Sequence, residues 1–266
     1  MRTHFNYLTA FAVTASVTAA AVAVPAYEPF DYAVGDTVVG NDGGFGFDGP
    51  WFNVLGSQGE IIEGSLVDPT GLLLTEGNTG SEIDEGRVYR LVDEPQPSAG
   101  GDGPFEQTIF LSFLMQTTND EAYYGFELFD GGNNDSNRTV QIANEGGVFQ
   151  VRLNNDDALS APLPSPGTDT HLYVLRLDFS DALDNITVYV DPDPSQPEPA
   201  VADASVLGDI SYDRVAFAMF QGPREESLLV DELRIGDSFD DVTPFPEPAS
   251  LGLLAMAGLG LMRRRR

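Results

Sequence analysis

The run Ile109-Phe110-Leu111-Ser112-Phe113-Leu114-Met115 decides the fold class. It is short, and apart from Ser112 it presents apolar side chains to both sides of an extended chain. That is the pattern of a central strand covered on both faces. Moving outward, Phe149, Val151 and Leu153 alternate with Gln150 and Arg152, and Tyr173, Leu175, Leu177 and Phe179 repeat the device. An alternation of this kind puts one face of a strand on a core and turns the other, here Gln150 and Arg152, toward water. The same reading predicts strands over Glu60–Leu66, Gly71–Leu74, Arg87–Val92, Thr108–Thr117, Ala122–Phe129, Thr139–Ala143, Val148–Leu153, His171–Phe179, Asn185–Val190, Arg214–Phe220 and Leu228–Ile235. Clusters of Gly, Asn, Asp and Pro separate these runs, and no helical periodicity or repeat of 20 to 50 residues interrupts them. The expectation is a single all-β domain built as a two-sheet sandwich. Glu94–Gly103 and Asp191–Pro199, dense in Pro, Gly, Ser and acids, read as loops.

The two ends read differently from the middle. Arg2 precedes an almost uncharged run from Leu8 to Val24, and Val24, Pro25 and Ala26 place small residues at the spacing that signal peptidase accepts before Tyr27. A signal peptide over residues 1–26, with cleavage after Ala26, is therefore expected. At the other end Pro246, Glu247 and Pro248 are followed by a 14-residue apolar segment, Ala249–Met262, and then by Arg263, Arg264, Arg265 and Arg266. The triplet, the apolar segment and the arginine cluster, in that order, resemble the PEP-CTERM sorting signal. The resemblance implies handling by an exosortase-like processing enzyme and association with exopolysaccharide in an extracellular matrix or at the cell surface. An apolar helix of 14 residues is below the roughly 17 to 25 of a stable span, so it would hold the chain at the inner membrane only transiently, with the arginines on the cytoplasmic side. The domain organisation expected is then 1–26 signal peptide, 27–243 sandwich and 244–266 sorting tail.

Charge narrows the partners. The chain has 13 basic residues, all arginine, and 42 acidic ones; without Arg2, Glu247 and Arg263–Arg266 it keeps 8 and 41, a net charge of −33. Such a polyanion repels nucleic acid and anionic headgroups and attracts divalent cations. With no cysteine there is neither a disulfide nor a thiolate metal site, so stability must come from the core.

The phrase Val230-Asp231-Glu232-Leu233-Arg234-Ile235, after strands in the order just given, resembles the closing strand of LamG-like and other concanavalin A-like jelly rolls. That resemblance implies a concanavalin A-like jelly-roll sandwich, a fold that serves both glycan-binding domains and glucanases. Glucanases of this fold carry Glu-x-Asp-x-x-Glu on one strand. Here Glu82 and Asp84 are followed by Arg87 where the second Glu belongs, so no catalytic residue is assigned. His171 stands alone after Ala26 and reads as a packed or hydrogen-bonded strand-edge residue rather than a base. Asp130, Asn133 and Asp135, in the loop Asp130–Asn137, offer the oxygen ligands that calcium prefers, although turns are built from the same residues. Trp51, Tyr123 and Tyr124 would stack on a polysaccharide if exposed, whereas the ordinary use of such aromatics is to fill a core. The reading is a non-catalytic structural or glycan-binding protein; the alternative is a secreted polysaccharide hydrolase or lyase on the same fold.

Overall fold

The computed structural model describes residues 26–83, 85–96, 106–118, 122–154, 157–220 and 227–246. In chain order the strands are β1 (Ala26–Glu28), β2 (Phe47–Gly56), β3 (Glu60–Ile62), β4 (Thr79–Ile83), β5 (Gly86–Gln96), β6 (Glu106–Thr117), β7 (Tyr123–Phe129), β8 (Arg138–Glu145), β9 (Val148–Leu153), β10 (Ala158–Leu159), β11 (His171–Ser180), β12 (Asp184–Val190), β13 (Ala204–Gly208), β14 (Tyr212–Phe220) and β15 (Ser227–Gly236). A short helix, α1 (Phe239–Val242), follows β15. The strands form two antiparallel sheets. One has eight strands in the order β13-β12-β11-β6-β15-β4-β3, with β1 also paired to β15; the other has seven, in the order β10-β9-β8-β7-β14-β5-β2. This is a two-sheet jelly-roll sandwich: the alternation of apolar residues anticipated the two sheets, and the resemblance of the closing strand implied the jelly roll.

Between the sheets the core is aromatic. Phe113 of β6 stacks on Phe126 of β7 at 4.4 Å, with Tyr173 at 5.6 Å and Phe217 at 6.2 Å. Each such pair adds about 0.5–1.5 kcal/mol beyond the area it buries. β6 holds the central position expected of Ile109–Met115, between β11 and β15. Its second apolar face is covered too: Phe110 and Leu114 form an outer cluster with Leu172, Val174, Tyr189, Leu66, Leu73 and the α1 residues Phe239 and Val242. Ser112, the one polar residue of the run, donates its hydroxyl to the Val242 carbonyl at 2.6 Å.

Several boundaries depart from the sequence reading. Gly71–Leu74 is not a strand. Asp68 folds this segment into a turn by accepting from Thr70 N at 3.0 Å and Leu73 N at 2.9 Å, which places Leu73 on the outer cluster. The strand expected over Glu60–Leu66 ends at Ile62, because Leu66 is drawn to the Asp231 carboxylate, 2.9 Å from its amide. Gln150 and Arg152 do not face open water; they are 8% and 9% exposed on the crowded outer face of the seven-stranded sheet. The sequence reading missed β1, β2, β4, β10 and β13. Residues 1–25 of the segment expected to be signal peptide, and the apolar sorting helix with Glu247, Pro248 and Arg263–Arg266, lie outside the described residues; Ala26, the last residue of that segment, opens β1 and pairs with Ile235, and Pro246 is the last residue described.

The closing phrase of β15 owes its composition to packing. Asp231 accepts from the Leu66 amide and the Glu232 amide; Glu232, at φ 56° in a register shift against β6, accepts from Glu76 N at 2.5 Å and from the Tyr27 hydroxyl at 3.0 Å. Arg234 pairs with Glu232, donates to the Leu74 carbonyl at 2.8 Å and lies over the Tyr27 ring. The charged residues thus clamp the 64–76 segment and β1 onto the sheet.

Candidate functional site

The outer face of the seven-stranded sheet is where charged and aromatic groups meet. Alternation sends Tyr124, Phe126 and Leu128 of β7 into the core, which leaves Tyr123, Gly125, Glu127 and Phe129 on the outer face. Register then aligns two rows across the sheet. Tyr89, Ala216, Glu127, Gln141 and Arg152 face one another on adjacent strands, and beside them run Arg87, Ala218, Gly125, Ala143 and Gln150. The middle of the second row is small. A Cβ added at Gly125 would come within 2.5 Å of both the Ala143 Cβ and the Ile142 carbonyl, so glycine is required there. Long side chains from the flanks lie over this low floor.

Glu127 is the hub. Its side chain is fully buried, and Arg87 Nε approaches Oε2 at 2.5 Å while Arg87 Nη2 and Arg138 Nη1 reach Oε1 at 3.1 and 2.9 Å. The Tyr123 hydroxyl donates to the same carboxylate, and the Gln141 amide sits 2.8 Å from that hydroxyl. Burial pushes the Tyr123 phenol well up and the Glu127 charge adds to the effect, so the hydroxyl stays protonated. Burial works against the Arg87 charge, but the Glu127 carboxylate together with the Tyr89 and Tyr123 hydroxyls more than offsets it. The Arg87 guanidinium also lies 5.1 and 5.2 Å from the ring centres of Phe220 and Phe129.

The Asp130–Asn137 loop crosses this face as a strap. Asn133 accepts from the Tyr89 hydroxyl through its carbonyl, at 2.9 Å, and from Arg214 through its side chain. Asp130 accepts from the Ser211 hydroxyl at 2.6 Å. Asp135 lies 3.0 Å from Arg87 Nη1 and 3.7 Å from Arg138 Nη1. The oxygens named for calcium are therefore turned to separate partners on the sheet rather than toward a common centre. Among the described residues no three His, Asp or Glu side chains lie together as a metal site would need. The strap divides a groove into two cavities. One, of about 410 Å³, is lined by Arg87, Tyr123, Asp135, Arg138, Glu145, Gly146 and Phe220; the other, of about 300 Å³, by Val54, Arg87, Tyr89, Asn133, Asn134, Asp135 and Phe220.

The remaining residues singled out in the sequence fall elsewhere. Trp51 lies in β2, 1% exposed, stacked on Phe30, and donates Nε1 to Glu28 at 3.0 Å. Glu28 also accepts from Phe30 N and the Tyr32 hydroxyl and pairs with buried Arg90. Tyr124 is fully buried, its hydroxyl 2.6 Å from Ser165 Oγ. The exposure that sugar stacking requires is absent at both, because alternation points them inward; Tyr123 borders the 410 Å³ cavity. His171 Nδ1 meets Asp191 at 2.5 Å on the eight-stranded sheet, away from the groove. Glu82 and Arg87 lie on β4 and β5, in different sheets, so a Glu-x-Asp-x-x-Glu phrase starting at Glu82 would not share one strand; Asp84 lies outside the described residues. Glu127, Arg138 and Phe220 were missed, although the alternation of β7 carries the signal: Glu127 stands on the face that Phe126 and Leu128 avoid.

No family model matches the sequence, and no curated protein matches it. Solved structures with a similar fold include the endo-1,3-beta-glucanase from Streptomyces sioyaensis, 13% identical over 84% of this chain and 98% of that one, with a TM-score of 0.47. Lectin I-B4 from Griffonia simplicifolia is 10% identical over 69% and 89%, with a TM-score of 0.39. The cellulose induced protein Cip1 is 10% identical over 68% and 86%, also at 0.39. At these identities the likeness concerns the fold alone.

Proposed function

We propose that the protein is a non-catalytic glycan-binding protein of the cell surface or extracellular matrix, and that polysaccharide lies in the groove on the outer face of the seven-stranded sheet. The observation that carries this reading is the groove itself: two adjoining cavities that share Phe220, Arg87 and Asp135, with Tyr123 and Tyr89 at the walls. An elongated trough with aromatic walls and converging hydrogen-bond donors suits a chain of hydroxylated rings. A glucanase and a lectin among structures of similar fold are in keeping with it. Export and exosortase-like sorting rest on the sequence of residues 1–26 and 246–266.

The state of Glu127 supports binding over hydrolysis. Glycosidases need two carboxyls with access to the scissile bond, about 5 Å or about 6.5–9.5 Å apart. Glu127 is fully buried under two guanidiniums and a phenol, which denies a substrate access to its carboxylate. The test is retention of the purified protein on a panel of immobilised β-glucans, galactans and alginates, with reducing ends assayed in parallel. Retention without release of reducing ends is expected. Phe220→Ala should weaken retention by about tenfold or more, the effect of losing about 1.4 kcal/mol at a central contact. Sustained release of reducing ends by the wild type would replace the reading with a hydrolase, and no retention on any polymer would remove it.

A further inference from the structure

We infer that the glycan taken by this groove is acidic, and that Asp135 occupies in the free protein the place of the ligand's own carboxylate. The inference rests on the glycan-binding reading above and adds the ligand's charge to it.

The distribution of arginine points there first. Seven arginines fall among the described residues of a chain with 42 acidic ones. Arg90 and Arg234 are spent on the buried carboxylates Glu28 and Glu232, and Arg176 pairs with Asp178 and Glu198 on the other sheet. The other four, Arg87, Arg138, Arg152 and Arg214, all stand on the outer face of the seven-stranded sheet. Four of the seven described arginines thus share one face of this strongly acidic protein, and two of them, Arg87 and Arg138, border the groove.

The partners of those cations come in two kinds. Glu127 is fully buried and fixed, and it balances one of the two guanidiniums that grip it. The second is balanced by Asp135, whose side chain is 69% exposed and reaches Arg87 and Arg138 from the strap, not from the sheet. Arg152 repeats the arrangement with Glu145, 3.4 Å away and 49% exposed on the β8–β9 hairpin. Asp135 and Glu145 both border the 410 Å³ cavity. An exposed carboxylate gains little from such a pair in water and can swing into solvent at small cost. A ligand carboxylate arriving at the same guanidiniums would restore the charge balance and the charge-assisted hydrogen bonds, while its sugar ring met Phe220. Asp135 borders both cavities, with Arg87 and Phe220, so its departure would also widen the passage between them.

A neutral glycan gives a different expectation, since it would leave Asp135 in place and gain nothing from its removal. The experiment measures binding of the purified protein to polygalacturonate, alginate and hyaluronate, each paired with its carboxyl-reduced, neutral counterpart, by calorimetry at fixed ionic strength. At least one acidic polymer should bind tenfold or more tighter than its reduced partner. Asp135→Asn should strengthen that binding threefold or more and leave the reduced polymer unaffected, while Arg138→Gln should abolish the preference. Asp135 is exposed, so its variant tests the idea even if Arg138→Gln fails to fold. Equal binding of acidic and reduced polymers, or weaker acidic binding by Asp135→Asn, overturns the inference but leaves the glycan reading standing. Absence of binding to every polymer removes both.

Discussion

Trp51 shows how one residue type can carry two opposite expectations. It follows Gly49 and Pro50, which reads as a loop, yet β2 runs through all three with a register shift between Asp48 and Phe52 against β5. The shift seats the indole between Phe30 and Phe217, and its Nε1 becomes one of the donors that hold Glu28. Neither the stacking nor the buried carboxylate partner can be read from Trp51's neighbours in sequence, since Glu28 is 23 residues away. Trp51 is the chain's single tryptophan, so its emission should be blue-shifted and should not change when polysaccharide binds. Quenching by a bound sugar would place Trp51 at the ligand. Trp51→Phe keeps most of the packing but removes one donor from a buried carboxylate, a loss of about 1–3 kcal/mol in denaturant unfolding.

Strands with strict alternation or two apolar faces were legible within a residue or two: Val148–Leu153 is β9 without change, and Ile109–Met115 sits at the middle of its sheet. The strands that were not legible have identifiable reasons. β1 is only three residues long and straddles the expected cleavage point after Ala26, β2 contains Pro50, and β13 is a five-residue edge strand that alternates buried and exposed positions only briefly. At the candidate site, periodicity alone would have put Glu127 on the outer face, but not in contact with Arg87 and Arg138. Those contacts depend on strand order, β5-β14-β7-β8, which no local pattern encodes. β15 makes a prediction of its own. Burial, and then the neighbouring Glu232 charge, hold Asp231 well above the ordinary carboxylate range, and burial raises Glu232 as well. A carboxyl whose folded pKa is raised binds protons in the native state before it does in the unfolded one. Stability therefore grows as pH falls through the folded value and levels off below the unfolded value near 4. The melting temperature should be higher at pH 5 than at pH 8, by about 2–4 °C for each kcal/mol gained. Asp231→Asn, which cannot titrate, should show a shallower slope. A wild-type melting temperature that falls between pH 8 and pH 5 would contradict this.

For the whole molecule, the two sheets divide the work. The eight-stranded sheet has its outer face closed by α1 and the 64–74 segment, with Phe239 and Val242 packed on Phe110 and Leu114. Among the described residues, the Asp130–Asn137 strap crosses the outer face of the seven-stranded sheet, and Asp135 borders a cavity on each of its two sides. Four of the seven described arginines stand on that outer face, and Arg87, Arg138, Asp135 and Phe220 border the cavities there. The groove on this face is where polysaccharide is proposed to lie. The most direct measurement is backbone-amide chemical-shift mapping by NMR while an oligosaccharide of the polymer best retained by the protein is titrated in. Shifts concentrated in residues 130–138, in the β8–β9 hairpin around Glu145 and Gly146, and at Phe220 are the predicted result. Shifts concentrated on β11, β12 and the 191–199 loop of the other sheet would contradict it.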